Sequence, residues 1–293
     1  MACSSPKNHT KYHLRSISLP SKLHPTNLKI EDELNKLVSW STTSCISSST
    51  SVLEGLSCLE ELYISLEEVL QTRTTQQILS KNQQEKCIEE VLEGSVKILD
   101  VCAVSRELMS QTKEQVRDLQ STLRRRKAGS SLEVEIARFT QSRKTVKKDA
   151  KSLIASMKQM GNEIMATPSS ILAQEDDHLS VIIRVLREVN LSSIPVFQFL
   201  LSFLTEARPA RWSVISRMIP RQEADLSELE RIDASMRCLF KPSKGDDTEQ
   251  LHHTVQKQLG DLELNIRSFE DSLECIFRRL IKTRASLLNI ISQ

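Results

Sequence analysis

The sequence predicts an all-α fold: an antiparallel helical bundle with three long heptad-patterned helices and several shorter ones. Two observations predict it. Apolar residues recur at alternating steps of four and three over most of the chain, the period of one face of a helix. Turn-forming residues are scarce, with six glycines and eight prolines in 293 residues, too few for the many turns of an all-β fold. Aromatics make up 4%, which argues against stacking platforms for single-stranded nucleic acid. Forty basic against 38 acidic residues leave a net charge of +2, so no global field draws the chain to nucleic acid or membrane.

Residues 1–27 carry Pro6, Pro20, Pro25 and scattered Lys and Arg without periodicity, and read as a disordered basic arm. Residues 28–293 read as a single helical-bundle domain. Ile30, Leu34, Leu37 and Val38 mark a short helix over 28–40, followed by a loop at 39–51 in which 10 of 13 residues are Ser or Thr. Val52, Leu56, Leu59, Tyr63, Leu66 and Leu70 predict a helix over 51–71, with Ser51 as its cap and Glu54 completing a capping box. Thr74 to Leu79 add a short turn.

The first long helix spans 83–127, on Ile88, Val91, Ser95, Ile98, Cys102, Ser105, Met109, Thr112, Val116, Leu119 and Leu123. Ala128-Gly129-Ser130-Ser131 supplies a helix-ending glycine and a capping serine. The second covers 131–166, on Leu132, Ile136, Phe139, Arg143, Val146, Ala150, Leu153, Met157, Met160 and Ile164. So short a connection makes the two antiparallel neighbours. Pro168 ends the hairpin, and shorter helices follow at 171–190, 195–206 with Pro195 in its first turn, 210–219 and 222–240. After an exposed loop at 241–248, the third long helix runs over 249–291. Its seam is Val255, Leu259, Leu262, Ile266, Phe269, Leu273, Ile276, Leu280, Thr283, Leu287 and Ile290.

Chemistry-bearing motifs are sparse. The seven cysteines contain no CxxC pair, which argues against a disulfide scaffold or zinc site and for a reducing intracellular compartment. The N-terminus lacks a signal-peptide core, and the most apolar run, Ile194 to Leu204, is too short to span a bilayer. A cytoplasmic protein is expected, with a nuclear pool or peripheral membrane association as alternatives. Glu175-x-x-His178 and Glu249-x-x-His252 have the spacing of di-iron ligands, but both fall in predicted first turns, where acids complement the helix dipole; no metal site is assigned. No phosphate loop, HExxH or G-x-S-x-G motif occurs, so no catalytic residue, cofactor or small-molecule substrate is nominated and a non-enzymatic role is expected.

Two features stand out. Residues 121–151 hold ten cations against three acids, and Arg124, Arg125, Arg126, Lys127, Arg143, Lys144, Lys147 and Lys148 form a candidate basic patch for an acidic protein, an anionic lipid surface or an importin. Arg143 sits on the apolar seam, where it either snorkels or pairs with an acid from another helix. In the arm, Arg15, Ser18 and Pro20 make the pattern R-S-x-S-x-P, a docking site for 14-3-3 proteins once Ser18 is phosphorylated.

Several stretches together resemble a known family. They are Tyr12 to Ser21, Leu99-Asp100-Val101-Cys102, Leu123-Arg124-Arg125-Arg126, Ser142 to Lys148, Arg211-Trp212-Ser213, and Leu273-Glu274-Cys275-Ile276-Phe277-Arg278-Arg279 continuing to Ile290. The chain resembles the plant-specific BYPASS-related family over nearly its whole length. The resemblance implies a non-enzymatic plant protein associated with root and shoot development, and brings no catalytic residues. The preferred expectation is a scaffold or regulator acting through protein–protein contacts. A peripheral lipid binder using residues 121–151 and an enzyme or carrier with an unrecognised pocket are the alternatives.

Overall fold

The computed structural model describes residues 25–43, 48–82, 85–125, 130–166, 178–205, 227–239 and 245–293. These form eight α-helices, and no strand occurs among them: α1 (Pro25–Thr43), α2 (Ser49–Leu70), α3 (Arg73–Lys81), α4 (Lys86–Arg124), α5 (Ser130–Ala166), α6 (His178–Thr205), α7 (Glu228–Cys238) and α8 (Gly245–Ile291).

Four helices enclose the core: α8 packs on α4 and α2, and α6 packs on the other side of the same two. Around this ring, α1 covers α2 and α6, α5 covers α4 and α6, and α7 lies on α8. The heptad seams are the reason. All eleven seam positions of α8 from Val255 to Ile290 are buried, as are ten of the eleven on α4, Ser95 being half-exposed. The α4–α5 hairpin is antiparallel, since Lys97 near the start of α4 meets Glu163 near the end of α5 at 3.4 Å.

Aromatic residues lock the outer helices. Trp40 of α1 lies edge-on to Phe199 of α6, with ring centroids 5.1 Å apart, and its Nε1 donates to the Ser51 carbonyl at 3.0 Å. The ring fits because residue 55 is glycine: a Cβ there would stand 2.2 Å from a Trp40 ring carbon. Phe203 meets Phe269 edge-on at 5.2 Å and joins α6 to α8. The buried Tyr63 hydroxyl and Ser193 Oγ lie 3.1 Å apart. Ser193 Oγ donates to the Val189 carbonyl, so Tyr63 donates to Ser193.

The structure corrects several expectations. The helices placed at 171–190 and 195–206 are one where described: α6 runs unbroken through Pro195. Proline in a helix interior costs about 3 kcal/mol. The surrounding Phe197, Leu200 and Leu201 are fully buried, at roughly 1.5–3 kcal/mol each, and hold the helix together. The turn at Thr74–Leu79 is the nine-residue α3, capped by Thr72. The cap of α2 is Ser48, whose Oγ accepts from the Ser51 N–H at 3.2 Å, rather than Ser51. A reciprocal capping box does occur, at Ser227 and Glu230 of α7. The Ser/Thr-rich stretch 39–51 is largely helical, since α1 extends to Thr43 and α2 starts at Ser49; α8 likewise begins at Gly245, inside the expected loop at 241–248. Residues 210–219 lie outside the described residues.

Candidate functional site

Basic residues occupy three environments in this fold. The first is the α4–α8 interface, where cations meet acids across the seam. Arg106 pairs with Glu274, Lys113 with Glu270, and Arg117 Nε with Glu263 Oε1 at 2.8 Å. Arg106 also lies 4.6 Å over the Phe277 ring. Arg284 donates to the Leu92 carbonyl at 2.7 Å and to Ser95 Oγ at 2.9 Å. On the α2 side, the nearly buried Glu67 carboxylate accepts from Lys282 at 2.6 Å and from Arg279 at 3.3 Å. Bonding to Arg117 holds the Glu263 carboxyl below the usual carboxylate range.

The second environment belongs to Arg143. The structure removes it from the exposed patch, because only 9% of its side chain is accessible. Its guanidinium pairs with Asp233 of α7 at 2.7 Å and donates to the Leu229 carbonyl at 3.2 Å. Of the two expectations for a cation on an apolar seam, pairing with another helix is the one realised. Above this bridge an open cleft of about 710 Å³ lies between α5 and α7, lined among others by Ile136, Thr140, Lys144, Met236 and Arg237.

The third environment is the outer face of α5. Lys144, Lys148, Lys151 and Lys158 are exposed at spacings of four, three and seven, so they share one side of the helix, opposite the buried seam. The row is about 21 Å long at 1.5 Å per residue. Among the described residues none of these four lysines enters an ion pair, whereas Lys147 is half-buried and has a partner. The row extends the expected patch to Lys151 and Lys158. At the hairpin tip Arg124 and Arg125 are exposed, while Arg126 and Lys127 lie outside the described residues. So do Arg15, Ser18 and Pro20.

Two groups outside these environments are perturbed by burial. Cys102 is fully buried, as its seam position implied, and burial pushes its thiol up to about 12. Burial raises Glu188 on α6 to about 7, with Glu31 on α1 adding repulsion and Arg184 partly offsetting both. The Glu249-x-x-His252 motif sits near the start of α8, and among the described residues no group of three or more His, Cys, Asp or Glu side chains could hold a metal. No helix among them is long and apolar enough to cross a membrane.

No curated protein and no solved structure matches the chain. A family model described as Protein BPS1 matches residues 55–290, from the Gly55 slot of α2 to the last seam position of α8. The match spans well over half of the chain, and the protein belongs to the BPS1 family.

Proposed function

We propose that this BPS1-family protein is a non-enzymatic regulator of plant development that works as a helical platform for other proteins. The lysine row of α5 receives an acidic partner surface. The observation that carries this reading is the contrast in pairing: cations between α4 and α8 meet acids, and among the described residues the four lysines of the row do not. Unpaired ammonium groups 21 Å end to end steer and orient an acidic surface without contributing to the fold. The non-enzymatic part is supported by where the perturbed groups lie. Cys102, Tyr63 and Glu188 are packed between helices, and none lines the α5–α7 cleft.

Proximity labelling in plant tissue tests this reading with the wild type and a K144Q/K148Q/K151Q/K158Q variant. Neighbours with acidic surfaces are expected to disappear from the variant at unchanged protein level. An unchanged set of neighbours contradicts the assignment.

A second contact rests on sequence. Arg15 and Pro20 flank Ser18 in the pattern that 14-3-3 proteins read after phosphorylation. A phospho-Ser18 peptide covering residues 10–24 is expected to bind a 14-3-3 protein at about micromolar Kd. Equal binding by the unphosphorylated peptide excludes it.

A further inference from the structure

The outer side of α4 carries a second charged row, of the opposite sign. Asp100, Glu107 and Glu114 are exposed at intervals of seven residues. End to end the row is about 21 Å long at 1.5 Å per residue, the length of the lysine row on α5. We propose that the two rows are the halves of one interface, and that the acidic surface received by the α5 lysines is α4 of a second copy of this chain. The proposal rests on the reading of the α5 row as a docking face and names its partner.

Three features of the rows converge. First, they match in period as well as in length. Lys144, Lys151 and Lys158 also stand seven apart. An antiparallel contact of α4 with α5 therefore sets Asp100 against Lys158, Glu107 against Lys151 and Glu114 against Lys144 at once. Rows with the same heptad period drift around their helices alike, so one gentle crossing keeps all three pairs in reach. Second, the charges are unused within one copy. Among the described residues none of the six enters an ion pair, and Glu107 only accepts from the Gln111 amide on its own helix, at 2.8 Å. Third, the uncharged positions between them fit the antiparallel direction. Val104, 44% exposed between Asp100 and Glu107, falls opposite Ala155, the exposed small residue between Lys151 and Lys158. In the parallel direction Val104 would meet Lys148 instead, and an apolar side chain would lie against a charge.

The hairpin allows the contact to be made twice. Lys97 meets Glu163 across it, so Asp100 and Lys158, Glu107 and Lys151, and Glu114 and Lys144 lie at matching heights on the two helices, to within about 3 Å. A two-fold axis parallel to the helices preserves heights and directions. It sets α4 of each copy antiparallel to α5 of the other, and the same three pairs form on both sides of the axis. Exposed ion pairs are individually weak and screened by salt, so the dimer is modest in affinity and sensitive to ionic strength.

Sedimentation velocity of the full chain, at protein concentrations up to about 100 μM and in about 0.05 and 0.5 M salt, tests the proposal. The expected result is a dimer at low salt with a Kd on the order of 10 μM, weakened about tenfold or more at high salt. Charge reversal identifies the face. K144E/K151E/K158E and D100K/E107K/E114K are each expected to be monomeric with unchanged circular dichroism. An equimolar mixture of the two regains the dimer, because acids again meet lysines on both sides of the axis. Should either reversal lose helix content, the milder K144Q/K151Q/K158Q and D100N/E107Q/E114Q variants decide, each expected to weaken the dimer about tenfold. A wild type that stays monomeric at low salt overturns the proposal. So does a dimer that survives both reversals, or a mixture that stays monomeric. A monomeric wild type whose lysine variant still loses acidic neighbours in plant tissue overturns the dimer and leaves the role of the α5 row standing.

Discussion

The facing sides of α4 and α8 and the outer side of α5 carry the same kinds of residue in different company. Between α4 and α8, Arg106, Lys113 and Arg117 each meet a glutamate from the opposite helix, while on α5 Lys144, Lys148, Lys151 and Lys158 are exposed and enter no ion pair among the described residues. The seam below the glutamates is buried, whereas the lysine row is exposed along its length, with Lys144 at the edge of the α5–α7 cleft. The difference separates charge that fixes helix register from charge held out for something else. Arg143 sharpens the lesson, because it lies one residue from Lys144 and belongs to the other class. A rotation of about 100° around α5 takes it into the interior and onto Asp233.

The largest effect is expected where the apolar seam is interrupted. Phe269→Ala removes a fully buried ring that contacts Phe203, and should cost about 3–5 kcal/mol in denaturant unfolding. A loss below about 1 kcal/mol would mean that the α6–α8 contact is not part of the core. Next comes the Trp40 slot. Gly55→Ala places a methyl inside the indole ring and should cost about 1–3 kcal/mol, with altered Trp40 fluorescence. Unchanged stability and emission would show that α1 does not seat there.

Arg143 and Lys144 provide the closest comparison. Arg143→Ala removes the ion pair to Asp233 and the bond to the Leu229 carbonyl of α7, and should cost about 1–3 kcal/mol. Lys144→Gln should stay within about 0.5 kcal/mol. Equal effects would erase the distinction between the two classes of cation.

A smaller, pH-dependent effect is expected at Glu188. Its folded-state value of about 7 lies above the ordinary 4.5, so the folded chain holds a proton that the unfolded chain releases. Stability is therefore full below about pH 4.5 for this group and falls as pH rises through 7. Because the side chain is partly solvated, the loss is on the order of 1 kcal/mol. Glu188→Gln should flatten that slope, and melting curves between pH 5 and 8.5 check it. A wild-type slope of the opposite sign would contradict the burial argument.

Much of this was legible in the sequence because helix packing leaves a local trace. The four-and-three spacing named every described buried position of α8 and ten of the sixteen on α4, and the arginine on the α5 seam announced its own pairing by standing where an apolar residue was due. What escaped is non-local. The continuity of α6 through Pro195 depends on buried neighbours such as Phe197, Leu200 and Leu201, while Pro195 itself stays exposed. The space above Gly55 exists only because Trp40 arrives from another helix. The hold of Arg117, Arg267 and Gln120 on Glu263 emerges only when α4 and α8 are set side by side. The row on α5 was half visible: the cluster 121–151 pointed to it, but Lys158 lies beyond that window, on the helix already expected over 131–166.

The central claim is that the paired cations build the molecule and the unpaired lysines of α5 recognise a partner. Proximity labelling with the K144Q/K148Q/K151Q/K158Q variant in plant tissue tests it most directly. The account predicts a protein that accumulates at the wild-type level and loses its acidic neighbours. A variant that keeps every neighbour of the wild type would contradict it.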